Sequence, residues 1–103
     1  AEIESAINEH AAVAESAVVG LPDELKGERI LAVVVVKAGT PTGPGLVASL
    51  KDHVRQDLGA IASPSEIVFK PSLPKTRSGK ILRRALKAEA LGQDPGDLST
   101  LAD

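Results

Sequence analysis

The apolar run at residues 30–36 constrains the fold of this chain more than any other feature. Its seven residues, Ile-Leu-Ala-Val-Val-Val-Val, are mostly β-branched, and β-branched side chains favour strands. The run lacks the alternation of polar and apolar residues that a strand with one solvated face would show. It is also far shorter than the roughly twenty residues that a membrane-spanning helix needs. Residues 29–37 are therefore predicted to form a central strand covered on both faces.

Periodicity and turn chemistry predict the elements around that strand. Apolar residues from Ile3 to Ala14 recur at helical spacing, which predicts a first helix over this stretch, and Glu2 and Glu4 fall in its first turn, where the helix dipole favours acids. A short strand is expected at residues 17–20, followed by a turn at 21–23 because Pro22 fixes its φ angle. Three further elements are expected: a helix at 46–58 ending at Gly59, a strand at 66–70 and a helix at 81–90.

This order of elements predicts an α+β fold. A short central sheet of about three strands would carry helices on both faces, as a small three-layer-like sandwich. A chain of 103 residues is the size of one domain and buries roughly two-thirds of its unfolded surface. Residues 1–103 are therefore expected to form a single domain, with residues 92–103 as a loosely ordered tail.

Composition excludes several kinds of site. The chain has no Cys, which rules out disulfides, a thiolate nucleophile and cysteine-based zinc sites. Two His residues alone make a poor metal site, so no metal is predicted. A reducing, cytoplasmic location without membrane contact is expected from the missing cysteines and the missing membrane-length run.

Positive charge is concentrated in residues 70–87, termed here the basic segment. The whole chain has a formal net charge of −2, but this segment contains seven basic residues and no acidic one: Lys70, Lys75, Arg77, Lys80, Arg83, Arg84 and Lys87. Such a cluster can meet a phosphate, a nucleotide, an acidic protein or only water. An adaptor that binds nucleic acid or an acidic protein without catalysis is the alternative function. Nucleic acid is the weaker partner, since Phe69 is the only aromatic side chain available for base stacking.

Within the basic segment, residues 73–81 read Leu-Pro-Lys-Thr-Arg-Ser-Gly-Lys-Ile. Gly79 permits close approach of another backbone or a ligand. Ser78 is expected to cap the following helix, which would place Lys80 in its first turn, where N–H groups also favour an anion. This arrangement suits a cation held against a carboxylate and a phosphate. A lysine on an ordinary surface loop remains the competing interpretation, and a P-loop is excluded because its upstream Gly and following Ser or Thr are missing.

Several stretches together resemble a known family. They are residues 1–7, 13–23, 26–27, 54–59, 61–64, 96–101 and, most specifically, 73–84 with the sequence Leu-Pro-Lys-Thr-Arg-Ser-Gly-Lys-Ile-Leu-Arg-Arg. Over nearly its whole length the chain resembles the C-terminal domain of AMP-forming acyl-CoA synthetases. Within the adenylate-forming superfamily it is most similar to the acetyl-CoA or propionyl-CoA synthetase type.

The resemblance implies a two-step ligase that converts acetate, ATP and CoA to acetyl-CoA, AMP and pyrophosphate. A large N-terminal domain would bind ATP and the acid, and the present domain would act as a mobile lid. Lys80, on a catalytic loop with Arg77, Ser78 and Gly79, would bridge the carboxylate and the α-phosphate during adenylation. After the lid rotates, Arg55 would contact the phosphates of CoA. Without the resemblance, Arg55 is simply a cation favoured near the C-terminal end of a helix.

The resemblance also implies what this chain does not do alone. The N-terminal domain and the interdomain hinge should precede Ala1, so the isolated domain is expected to be inactive and to bind no cofactor. ATP with Mg²⁺ and CoA would be substrates of the full-length enzyme, and CoA and the acyl-adenylate would contact this domain within it. Lys80 is further expected to be reversibly acetylated by a protein lysine acetyltransferase and restored by a sirtuin-type deacylase.

Overall fold

A computed structural model of the chain describes residues 2–25 and 27–92. The elements follow the predicted order of helix, strand, strand, helix, strand and helix. Their bounds are α1 Glu2–Asn8, β1 Val13–Asp23, β2 Gly27–Val36, α2 Pro44–Leu58, β3 Glu66–Phe69 and α3 Arg83–Ala90, with a 3₁₀ turn at Ala60–Ala62. The predicted tail lies outside the described residues from residue 93 onward.

The three strands form one sheet in the order β1-β2-β3. β1 and β2 are antiparallel, with Ala17 opposite Val33, whereas β2 and β3 are parallel, with Ala32 opposite Ile67. A parallel pair cannot be joined by a tight turn, and α2 provides the crossover between β2 and β3. The predicted position of the apolar run at the centre of the sheet is confirmed.

Alternate residues of β2 contribute to two separate hydrophobic clusters. Ala32 and Val34 pack in a cluster with α1 and α2, and Leu31 and Val33 pack in another with α3. The first cluster is completed by Ala6, Ile7, Val13, Leu50, Val54 and Ile67, and the second by Ala17, Val19, Leu21, Leu73 and Leu86. The predicted α+β sandwich, with helices on both faces of the sheet, is thus confirmed.

The first helix is shorter than its apolar spacing predicted. It ends at Asn8, and the ring nitrogen Nδ1 of His10 accepts the backbone N–H of Ala12 at 3.1 Å. In a continuing helix the N–H of Ala12 would donate to a backbone carbonyl, and the imidazole of His10 takes the place of that carbonyl. The prediction that the helix extends to Ala14 was wrong, because small alanines recurring at helical spacing do not outweigh strand pairing from Val13 onward.

The predicted turn at residues 21–23 is also wrong. Leu21, Pro22 and Asp23 continue β1 and pair with Arg29, Glu28 and Gly27. Pro22 is tolerated there because β1 is an edge strand, on which a missing N–H need not break the ladder. Leu21 is 1% exposed, so burial of this side chain favours the longer strand.

None of the helices within residues 2–25 and 27–92 has the length and apolar character required to cross a bilayer.

Truncation of a buried side chain in either hydrophobic cluster should lower the stability of the fold by a similar amount. Leu50 of α2 is 0% exposed and Leu86 of α3 is 2% exposed. Leu50→Ala and Leu86→Ala should each lower the free energy of unfolding by about 2–5 kcal/mol, because each leaves a cavity. Leu25→Ala, at a side chain that is 96% exposed, should change it by less than about 0.5 kcal/mol. Urea unfolding measures all three, and a negligible effect of Leu86→Ala would contradict a core on the second face.

Candidate functional site

Residues 75–81 form a hairpin that lifts Lys80 away from the sheet. Lys75 and Ile81 pair in an antiparallel bridge, and the N–H of Thr76 donates to the carbonyl of Lys80 at 2.8 Å. Between them, the N–H of Gly79 donates to the carbonyl of Thr76 at 3.0 Å. The backbone of this motif is therefore ordered by its own hydrogen bonds.

The base of the hairpin is anchored in the second hydrophobic cluster. Leu73 is 5% exposed and belongs to the buried part of that cluster, and the half-buried Ile81 packs against it. The N–H of Leu82 donates to the carbonyl of Pro74 at 2.9 Å, closing the base. The hairpin is thus a fixed projection from the face of the sheet that carries α3.

The tip consists of Arg77, Ser78, Gly79 and Lys80, all of which are exposed. Gly79 has a φ of 90°, in the left-handed region that residues with a Cβ adopt only with strain. The hairpin contains no carboxylate or imidazole, so its chemistry is that of cations and hydroxyls. The structure brings together the four tip residues that the sequence analysis assigned to one loop.

Thr76 is a residue whose part in the hairpin the sequence analysis did not identify. Its hydroxyl oxygen accepts the N–H of Lys80 at 3.1 Å and lies 3.0 Å from the hydroxyl of Ser78. A threonine at the start of a turn commonly bonds backbone a few residues on, and this tendency was the available signal. Thr76 fixes the backbone from which the Lys80 side chain departs.

The predicted capping role of Ser78 is wrong. α3 begins at Arg83, its N-cap residue is Leu82, and no side chain caps it. The helix starts later than predicted because the bridge to Lys75 holds Ile81 in an extended pairing. Lys80 therefore lies on the hairpin and not in the first turn of a helix.

Much of the charge of the basic segment is balanced within the fold. Three of its seven basic residues form ion pairs with carboxylates from other parts of the chain: Lys70 with Glu89, Lys75 with Glu15 and Arg83 with Glu4. Within residues 2–25 and 27–92, the four others have no ion-pair partner: Arg77, Lys80, Arg84 and Lys87. Among the described residues, the unpaired positive charge of the basic segment thus lies at the hairpin tip and on the exposed side of α3.

Glu4 connects three elements through one carboxylate. Its Oε2 accepts the N–H of Val18 at 2.8 Å and that of Arg83 Nε at 2.9 Å, which ties α1 to the edge strand β1 and to α3. Burial raises the pKa of Glu4, but the hydrogen bonds from Arg83 and Val18 and the charge of Arg83 outweigh it, and the pKa lies below its ordinary value. These partners are distant in sequence, so no local pattern indicated them.

Arg55 lies on an element that packs in a different hydrophobic cluster from the hairpin. It is an exposed residue in the last turn of α2, a helix that packs on the first cluster, whereas the hairpin base packs on the second. The two cations of the candidate site therefore belong to elements on opposite faces of the sheet.

Comparison with known proteins gives a consistent family relationship. The family described as AMP-binding enzyme C-terminal domain matches residues 2–80. An acetyl-coenzyme A synthetase of Pyrobaculum aerophilum is 55% identical over 99% of the chain, and a 3-hydroxypropionyl-coenzyme A synthetase of Sulfurisphaera tokodaii is 50% identical over 99%. The chain spans about 15% of the length of each of these relatives. A crystal structure of a Brucella canis acyl-CoA synthetase aligns with a TM-score of 0.85 and 42% identity, covering 88% of this chain and 17% of that one.

The Glu4 network predicts a specific loss of stability in acid. Because its folded-state pKa is lowered from the ordinary 4.5, its contribution is present above that pH and is lost as the pH falls through the lower, folded-state pKa. Glu4→Gln should reduce the free energy of unfolding near neutral pH by about 1–2 kcal/mol, since Arg83 is partly solvated.

Chemical denaturation of wild type and Glu4→Gln across a pH series measures this effect. The difference between the two proteins should shrink as the pH falls below 4.5. Glu24→Gln, at an exposed position in the turn after β1, serves as the control and should match wild type throughout. A Glu4→Gln difference that is independent of pH would contradict the electrostatic origin.

Proposed function

Because this chain belongs to the family of AMP-binding enzyme C-terminal domains, we propose that it is the mobile lid of an AMP-forming acyl-CoA synthetase that acts on acetate. Relatives named acetyl-coenzyme A synthetase, 55% and 52% identical to the chain, support acetate as the substrate. A similar identity to a 3-hydroxypropionyl-coenzyme A synthetase supports a short-chain acid more generally. Selection between such acids would be made by the remainder of the synthetase.

The observation that carries this proposal is a free ammonium group on an anchored hairpin. In adenylation, a carboxylate oxygen attacks the α-phosphorus of ATP, and the bond to pyrophosphate breaks. Negative charge is spread over the phosphate oxygens as this occurs, and a cation placed against both reactants stabilises that charge. Lys80 is suited to this role because its side chain is exposed and has no ion-pair partner among the described residues, while its backbone is held by Thr76.

The second step requires a different surface of the domain. The thiol of CoA attacks the acyl carbon, the thioester bond forms, and the bond to AMP breaks. Arg55, on the other face of the sheet, would bind CoA phosphates in this step, because a guanidinium binds phosphate oxygens through two parallel hydrogen bonds. Placement of Lys80 and Arg55 on opposite faces supports a lid that rotates between the two half-reactions.

Separate half-reactions of the full-length parent enzyme test these two roles. Lys80→Ala should slow adenylate formation from ATP and acetate by about 10²–10³-fold, the usual loss for a removed transition-state donor, and leave thioester formation from supplied acetyl-adenylate unchanged. Arg55→Ala should raise the KM for CoA in the thioester step and leave adenylation unchanged. Rapid quench assays of each step measure both.

Lys87→Ala is the matched control for the half-reactions. Lys87 is an exposed cation of the basic segment without an ion-pair partner among the described residues, but it lies on α3 and not on the hairpin. It should leave both steps unchanged. Normal adenylation by Lys80→Ala would refute the catalytic assignment and leave the basic segment to be explained as a binding surface.

Reversible acetylation of Lys80 is a second part of the proposal. Acetylation removes the charge on which the adenylation role depends and should leave the fold intact, because the hairpin is held through the backbone of Lys80 and its ammonium forms no ion pair among residues 2–25 and 27–92. The partners would be a protein lysine acetyltransferase and a sirtuin-type deacylase.

Mass spectrometry of the chain after incubation with such an acetyltransferase and acetyl-CoA tests the modification. We expect acetylation to concentrate on Lys80, with little on Lys75, whose ammonium lies 2.9 Å from Glu15. Subsequent treatment with the deacylase should restore the unmodified mass. Equal acetylation of Lys75, Lys80 and Lys87 would contradict specific recognition of the hairpin.

A further inference from the structure

Three side chains with metal-binding atoms converge between α1 and α2. Glu9 follows the last residue of α1, and His53 and Asp57 lie four residues apart on one side of α2. One ligand atom from each residue lies within 4.8 Å of the other two. The sequence analysis considered only the two histidines as metal ligands, whereas this group combines one imidazole with two carboxylates.

The imidazole of His53, whose side chain is 32% exposed, contributes an unpaired nitrogen to this group. Its Nε2 atom is buried from solvent and has no hydrogen-bond partner, and the nearest opposite charge is Glu9 Oε2, at the longer distance of 3.9 Å. Buried polar atoms in native proteins are nearly always satisfied, and an unsatisfied one requires an explanation. A metal ion between the two side chains would satisfy both His53 Nε2 and the carboxylate of Glu9.

His10 packs against this group but is already engaged. Its ring lies edge-to-face with that of His53, at a centroid distance of 5.7 Å. The Nδ1 atom of His10 accepts the N–H of Ala12, and its Nε2 therefore carries the proton and donates to the hydroxyl of Ser49 at 2.9 Å. His10 consequently has no free nitrogen for a metal, and the ligand set is Glu9, His53 and Asp57.

The local electrostatics favour a cation. Both carboxylates are acceptors, and within the described residues neither Glu9 nor Asp57 forms an ion pair with a lysine or arginine. Asp57 also lies in the last turn of α2, where the partial charge of the helix is negative. The nearest basic residue along α2 is Arg55, which forms no ion pair with either carboxylate among the described residues.

We propose that Glu9, His53 and Asp57 form a binding site for a divalent transition metal, with Zn²⁺ as the ion that best fits one imidazole nitrogen and two carboxylate oxygens. Water would complete the coordination. Metal–ligand bonds of about 2.1 Å require ligand atoms to approach to about 3.5 Å of one another. Glu9, whose side chain is 62% exposed, is free to make that movement. The bound ion would link the end of α1 to α2, and this inference is independent of the proposed ligase function.

Calorimetric titration of the chain with Zn²⁺ in a non-chelating buffer tests the site. Wild type should bind one equivalent. Asp57→Asn and Glu9→Gln should each weaken binding by about tenfold or more, because even an outer-shell partner has an effect of that size. Asp52→Asn, which alters another exposed carboxylate of α2 that accepts a hydrogen bond from Gln56, should bind Zn²⁺ like wild type.

Two further readouts locate the ion. Zn²⁺ should raise the thermal midpoint of wild type and of Asp52→Asn but not that of Asp57→Asn, since a ligand stabilises only the state that binds it. Paramagnetic Co²⁺ should broaden the NMR signals of the His53 ring. Absence of saturable Zn²⁺ binding in wild type would overturn the proposal. Unchanged Zn²⁺ binding in both single variants, Asp57→Asn and Glu9→Gln, would also overturn it. So would a loss of binding in Asp52→Asn as large as that in Asp57→Asn.

Discussion

Burial of β2 on both faces is the constraint on which the rest of the structure depends. Val33 and Val34 are 1% and 0% exposed although their side chains enter different clusters. A strand of this kind requires an apolar cover above and below, so α1 and α2 must occupy one face and α3 with the hairpin base the other. The three-layer arrangement is the consequence of that requirement.

The same constraint places the two cations of the proposed function on elements at opposite faces of the sheet. The hairpin that carries Lys80 rises from the second cluster, whereas α2, with Arg55, belongs to the first. The two proposed half-reactions would therefore need only a rigid domain that changes its orientation, with no rearrangement of its core.

Electrostatic contacts between distant residues define where free positive charge remains. The Glu4 carboxylate binds both Arg83 and the N–H of Val18, and Glu15 holds Lys75 at the base of the hairpin. These pairs use carboxylates from the N-terminal part of the chain to neutralise part of the basic segment. Lys80 stays unpaired among the described residues, as the proposed adenylation role requires.

The sequence by itself determined the order of elements, the central position of residues 30–36, the helices on both faces and the grouping of Arg77, Ser78, Gly79 and Lys80. These depend on local periodicity, β-branching and turn residues, which are readable along the chain. Only the tertiary structure decided that Pro22 continues an edge strand, that Ile81 pairs with Lys75 and delays α3, and that His53 meets Glu9. Each of these depends on contacts between residues separated in sequence, whose free energy outweighs local propensity and leaves no periodic signal.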